Sequence, residues 1–244
     1  SIAIIEPSSK HYYQPLWTLV GGGVFAKHTT EREESSVIPL GATWVKDAVT
    51  EFLPDENRLV TRDGKRIRYD FLVVAAGLQL DWEKVKGLKE AIGKDGVCSN
   101  YSYEYVDKTW ECIRHFQGGN AIFTQPLPPI KCAGAPQKIM YLADDHFRKA
   151  GVRSKTNVIF ASAAPTIFAV KKYADALNQI VARKGIDARY KHNLIEIRPQ
   201  AKEAVFENLE TKEPVVLNYD MMHVTPPMSA PDCIKRSPLA NEAG

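Results

Sequence analysis

VTEFLPDENRLVTRDGKRIRYDFLVVAAG, from Val49 to Gly77, and LIEIRPQAKEAVFENLETKEPVVLNYDMMHVTPP, from Leu194 to Pro227, share one plan. Each opens with a short strand and turns at a proline, Pro54 or Pro199. A second strand, a charged hairpin and a third strand come next, and then Tyr-Asp leads a buried apolar run (Tyr69-Asp70 and Tyr219-Asp220). Short β-rich runs bounded by Pro, Asn, Asp and Gly are the pattern of antiparallel strands. The plan is a β-meander inserted before a returning parallel strand, and its recurrence is an internal repeat of one supersecondary unit.

The second copy is preceded by a βαβ pattern: strand Asn157 to Ala161, helix Thr166 to Arg183, turn Lys184-Gly185, strand Ile186 to Tyr190. Ahead of the first copy lies SIAIIEPS, a buried strand that ends at Glu6 and turns at Pro7, Ser8 and Ser9. In a dinucleotide-binding unit the second strand ends in this way. Its acid bonds the ribose hydroxyls about 20 residues after a G-x-G-x-x-G turn, and here that turn would precede Ser1. Gly21-Gly22-Gly23 comes after the acid and reads as a flexible loop.

The expected fold is therefore α/β, with two tandem Rossmann-like units, each carrying a β-meander. The break falls near Gln117-Gly118-Gly119-Asn120, between a helix over Val106 to Phe116 and a strand over Ala121 to Thr124. The expected divisions are a first unit over 1–117, lacking its first strand and glycine turn, a second unit over 118–226, and the start of a return to the first over 227–244.

With 44% hydrophobic and 25% charged residues in 244, the chain can bury one large core or two smaller ones. Its 32 basic and 29 acidic residues are interspersed, which gives nucleic acid no basic patch to bind. No run approaches the roughly 18 to 20 apolar residues of a spanning helix, so the chain reads as soluble or peripheral. Any targeting segment would lie upstream of Ser1. The six histidines are scattered singly, without an H-E-x-x-H or similar pairing, so no metal site is expected. No G-x-S-x-G elbow supports a hydrolase. SNYSYEY, Ser99 to Tyr105, reads as a strand or an extended interdomain packing segment rather than a cofactor box, and Met221 and Met222 as core fillers.

Cys98, Cys112 and Cys233 read as structural thiols. Cys132 differs. A helix is expected to start just after it, with Pro136 in the first turn, so its thiol would feel the positive helix end and the neighbouring Lys131, and both favour the thiolate. On local physics alone, a structural thiol in a turn and a reactive one stand level.

Three segments carry a family resemblance: EPSSKHYYQPLWTLVGGG (Glu6 to Gly23), PPIKCAGAPQKIMYLAD (Pro128 to Asp144) and YDMMHVTPPM (Tyr219 to Met228). Together they resemble the sulfide:quinone oxidoreductases of eukaryotic mitochondrial type, members of the two-dinucleotide-fold FAD flavoproteins. The resemblance runs through essentially the whole chain, and KCAGAPQK is its most specific part. It implies FAD as cofactor, with Glu6 on the ribose, Gln14 beside the isoalloxazine, the Val49 backbone at the adenine, and Gly77 where the chain passes close to the flavin.

The resemblance also implies that Cys132 is the redox cysteine, paired with a second cysteine expected beyond Gly244 along with the membrane-associating region. Hydrogen sulfide would open that pair to a persulfide and a thiolate, the electrons passing through FAD to ubiquinone and the sulfur to glutathione, sulfite or cyanide. Location at the mitochondrial inner membrane is implied by the same resemblance. The chain by itself is expected to bind FAD weakly or not at all, because backbone N–H groups of the missing glycine turn would hold the pyrophosphate.

Two other functions stay open on the sequence: a related type II NADH:quinone oxidoreductase or ferredoxin reductase, and a truncated chain that keeps the fold without the activity. The first needs a glycine turn after the strand at Asn157. That position carries SAAPTIFAVKKYADAL, with no glycine between Gly151 and Gly185, and the next strand ends near Arg189 and Lys191 instead of an acid. A quinone is therefore the expected electron acceptor.

Overall fold

The computed structural model describes residues 1–242. By its contacts the chain divides into two compact units, one of residues 1–13, 29–79 and those from 228 on, the other of 14–28 and 80–227. The division differs from the expected break at 117: residues 80–117 join the second unit because Val97–Cys98 and the helix after it belong to its sheet and core.

In the first unit, β1 (Ile2–Ile5) pairs in parallel with β4 (Ala42–Val45), and β2 (Lys10–Tyr12) pairs antiparallel with β3 (Glu31–Glu33). The meander is β5 (Val49–Leu53), β6 (Arg58–Thr61) and β7 (Arg66–Arg68). The expected strand after Tyr69-Asp70 does not form. Residues 70–78 join no ladder among the described residues, and Phe71 and Val73 stand 94% and 87% exposed. An apolar strand with no neighbour to bond its backbone has neither a ladder nor a face to bury.

The second unit is built on a five-stranded parallel sheet. Its strands are β8 (Val97–Cys98), β9 (Gly119–Gln125), β10 (Thr156–Ser162), β11 (Asp187–Tyr190) and, after the second meander, β15 (Met221–His223), in the order β11-β10-β9-β15-β8. The meander consists of β12 (His192–Arg198), β13 (Glu203–Asn208) and β14 (Pro214–Asn218). The helices are α1 (Trp17–Gly21), α2 (Val106–His115), α3 (Ala135–Lys149) and α4 (Lys171–Lys184).

Both faces of the sheet are covered. Ala121, Phe123, Val158, Phe160 and Met221 pack on Ile139, Met140, Ala143 and Phe147 of α3, while Ile122, Ile159 and Met222 pack on the meander residues Leu194, Ile197, Ala204 and Phe206. This two-sided burial is why AIF, VIF and MM read as unbroken apolar runs rather than alternating ones.

The repeat inferred from sequence extends to backbone detail. In each copy the proline starts a 3-10 turn that closes on a left-handed residue, Asn57 (φ 49°) or Lys202 (φ 54°), whose N–H donates to the proline carbonyl at 3.0 or 3.1 Å. The carbonyl of that residue then accepts from the N–H of the tyrosine common to the two copies, Tyr69 at 3.0 Å or Tyr219 at 2.9 Å. A bulge interrupts the first strand of both meanders, between Val49 and Glu51 and between Leu194 and Glu196.

Three local expectations change. Gly21-Gly22-Gly23 is a packed helix end, not a flexible loop: a Cβ on Gly22 would lie 2.8 Å from Leu142, and one on Gly23, at φ 76°, 2.5 Å from Trp110. Ser99 to Tyr105 forms bends and turns at the end of β8, since Asn100 and Tyr101 turn inward. Helix α4 begins at Lys171 rather than Thr166, because the loop ahead of it is held by hydrogen bonds of its own.

Candidate active site

Cys132 lies on the loop that joins β9 to α3. Strand β9 ends at Gln125, and α3 starts at Ala135 with Pro136 in its first turn, where the missing proline N–H costs no helical bond. The turn between them is tight. Cys132 takes φ 85°, and its carbonyl accepts from Ala135 N–H at 2.7 Å. A non-glycine residue in this conformation is strained and persists only where its surroundings fix it. The thiol is exposed.

The two lysines nearest to Cys132 along the loop and helix are placed differently. Lys131 Nζ donates to Gln14 Oε1 at 2.5 Å and is partly buried, which pushes its ammonium below the usual lysine range. Lys138, one turn into α3, places Nζ 3.9 Å from Cys132 Sγ. Two positions to which the resemblance gave flavin-facing roles, Gln14 and Cys132, are thus brought into one neighbourhood through Lys131.

Beneath this loop, the carboxyl ends of the parallel strands carry buried polar groups, the end of an open α/β sheet at which ligands bind. His223 is fully buried and pushed down to about 3 by that burial. Its Nε2 lies 3.1 Å from both the backbone N and the side-chain Oδ1 of Asn100, while Nδ1 has no hydrogen-bond partner among the described residues. Tyr101 packs beside His223, with ring centroids 6.3 Å apart. Its phenol is pushed up first by burial, with the Cys132 sulfur as the charge that adds to it. Sequence reasoning missed Tyr101, His223 and Lys138. For Lys138 a signal existed: a lysine in the first turn of a helix that has no acid there.

The other expected cofactor residues lie in the first unit. Glu6 ends β1, and its carboxylate accepts from Ser8 N–H at 2.7 Å, leaving further acceptor capacity for ribose hydroxyls. Val49 opens β5 at the bulge. Gly77 sits at φ 71°, and nothing lies within 4 Å of where a Cβ would stand on it, so the room a flavin edge needs beside the backbone is present. These features fit FAD.

The loop after β10 does not fit a pyridine nucleotide. Ala163 N–H donates to Gln125 O at 2.8 Å, Ala164 N–H donates to Ser162 Oγ at 3.2 Å, and Pro165 has none. Two backbone donors at the start of the loop are thus engaged and a third is missing, where a pyrophosphate site presents free N–H groups. Arg189 and Lys191, at the end of β11, pair with Asp187 at 2.8 Å and Glu210 at 2.6 Å.

No protein-family model matches the chain. Over 245 aligned residues it is 54% identical to the mitochondrial sulfide:quinone oxidoreductase of Mus musculus, covering 100% of this chain and 54% of that protein. The likeness to that sulfide:quinone oxidoreductase runs through the whole of this chain. It is 40% identical to the mitochondrial sulfide:quinone oxidoreductase of Schizosaccharomyces pombe, again across 100% of this chain and 54% of the relative. Among solved structures, the sulfide:quinone oxidoreductase of Aquifex aeolicus superposes with TM-score 0.81 at 17% identity, over 96% of this chain and 54% of that one, which establishes the shared fold. The chain spans about half the length of the curated relatives it matches.

Proposed function

We propose that this chain carries the sulfide-oxidising cysteine of a mitochondrial, FAD-dependent sulfide:quinone oxidoreductase, and that the cysteine is Cys132. The observation that carries the reading is an exposed thiol fixed at φ 85°, with an ammonium 3.9 Å from its sulfur, in a chain 54% identical to a protein of that name.

In the proposed reaction HS⁻ attacks a disulfide between Cys132 and a second cysteine in the rest of the full-length protein. The old S–S bond breaks, a new one forms as a persulfide, and the displaced cysteine leaves as a thiolate with the electron pair. Re-forming the disulfide once the outer sulfur has left releases two electrons, for which FAD, when bound, would supply the acceptor on the way to ubiquinone. The chain's own part is to hold the Cys132 sulfur in place, to neutralise the negative charge that gathers there, and to seat the cofactor through Glu6, Gln14, the Val49 backbone and Gly77. The persulfide sulfur leaves on a small nucleophile such as glutathione, sulfite or cyanide.

The test is an anaerobic titration of the full-length holoprotein. Sulfide should bleach the flavin absorbance, and a soluble ubiquinone analogue should restore it. A flavin left oxidised by excess sulfide overturns the reading.

A further inference from the structure

We propose that Lys138 is the charge partner of the anionic sulfur on Cys132, and so sets the reactivity of that cysteine. The inference rests on the reading of Cys132 as the reacting cysteine, and assigns to a second residue the charge balance of that site.

The placement of Lys138 is unfavourable unless an anion faces it. Helix α3 has 15 residues and no acidic residue in its first turn, and its N-terminus presents the positive end of the helix dipole. A lysine there adds like charge to like charge. Lys131, on the loop between β9 and α3, contributes a further cation close by. Among the described residues Lys138 has no carboxylate partner, whereas Lys149 of the same helix pairs with Asp145 at 2.7 Å. Its Nζ instead approaches Cys132 Sγ at 3.9 Å.

Lys131 donates from its ammonium to Gln14. The φ 85° turn at Cys132, closed by the bond from Ala135 N–H to its carbonyl, ties the cysteine backbone to the start of the helix that bears Lys138. When the thiol loses its proton, the ammonium is already in place to hold the sulfur anion, with no rearrangement of the loop.

Alkylation reads this directly, because iodoacetamide reacts with the thiolate form. The full-length holoprotein, reduced and desalted without oxygen, is treated with iodoacetamide at pH 7, and labelling of each cysteine peptide is tracked by mass spectrometry. Lys138→Met should slow labelling of Cys132 about six-fold, the factor that Coulomb's law gives for unit charges 3.9 Å apart in a water-like dielectric. Lys138→Arg should restore most of the rate, Lys131→Met should change it less, and Cys233 should label at the wild-type rate in each variant, which reports an intact fold. Wild-type labelling of Cys132 in Lys138→Met overturns the proposal. Sulfide turnover by a Cys132→Ser protein would overturn the catalytic reading separately, and leave the alkylation result to decide the charge pair.

Discussion

Replacing Asp144 by Asn removes the negative charge that ties α3, the helix starting beside Cys132, to the rest of its unit. The Asp144 side chain is fully buried and accepts from Arg148 Nε at 2.9 Å, Arg148 Nη2 at 3.2 Å, Arg153 Nε at 2.6 Å and Lys184 Nζ at 2.7 Å. Arg153 also donates to the Lys184, Gly185 and Thr156 carbonyls, so the carboxylate joins α3 to the end of α4 and the start of β10. Asparagine offers one acceptor and turns an N–H₂ group toward three cations. Removing one partner of a buried ion pair costs about 3 to 5 kcal/mol. Here Arg148 and Lys184 are 45% and 26% exposed and can rehydrate, which favours the lower end, about 3 kcal/mol.

For a chain of this size, about 3 kcal/mol corresponds to a fall in Tm of roughly 6 to 12 °C. Burial raises the Asp144 carboxyl, but the bonds from Arg148, Lys184 and Arg153 outweigh it and leave it below the usual carboxylate range. Its contribution is therefore present above the unfolded value near about 4 and is lost as pH falls through the lower folded value. Thermal and urea unfolding of wild type and Asp144→Asn at pH 7 and in acid should show a gap that closes on acidification. A loss below about 1 kcal/mol at pH 7, or a gap that persists in acid, refutes the reasoning.

Two further outcomes are expected of the same sheet. His223 is pushed down to about 3 by burial while the unfolded chain protonates near about 6.5, so between those values stability should fall by up to about 1.4 kcal/mol per pH unit as pH drops; urea midpoints of His223→Gln should lack this component, and equal slopes in the two proteins count against it. Because the loop after β10 has no glycine, engages the N–H groups of Ala163 and Ala164 and has none at Pro165, NADH and NADPH should reduce the flavin of the full-length protein far more slowly than sulfide does in stopped-flow absorbance, and comparable rates would show that the loop accepts a nucleotide.

The repeat was legible in sequence because its signals are local: a proline that starts a turn, a charged hairpin, and Tyr-Asp at the same place in the plan. Turn and bulge geometry then agree between copies to within a few degrees at Asn57 and Lys202. The parallel sheet was legible because strands buried on both faces leave continuous apolar runs. The strand expected at Phe71 was not, since the same apolar run forms a strand only when another strand bonds to it, and pairing is a property of the fold rather than of the run. The glycines at 21–23 misled for a related reason: composition alone does not distinguish a glycine kept for freedom from one kept because Leu142 and Trp110 leave no room for a Cβ. At the candidate site, Cys132 and the helix start behind it were readable from residue order. That Lys138 reaches the sulfur was not, because it depends on how the loop seats Cys132 against the first turn of α3.

The central claim, that Cys132 is the cysteine through which sulfide electrons enter, is tested most directly by Cys132→Ser in the full-length holoprotein mixed anaerobically with sulfide in a stopped-flow spectrometer. A hydroxyl of the same shape cannot form the persulfide or leave as a thiolate. The account predicts that the variant keeps its FAD and its fold while sulfide-dependent bleaching of the flavin disappears; bleaching at the wild-type rate contradicts it.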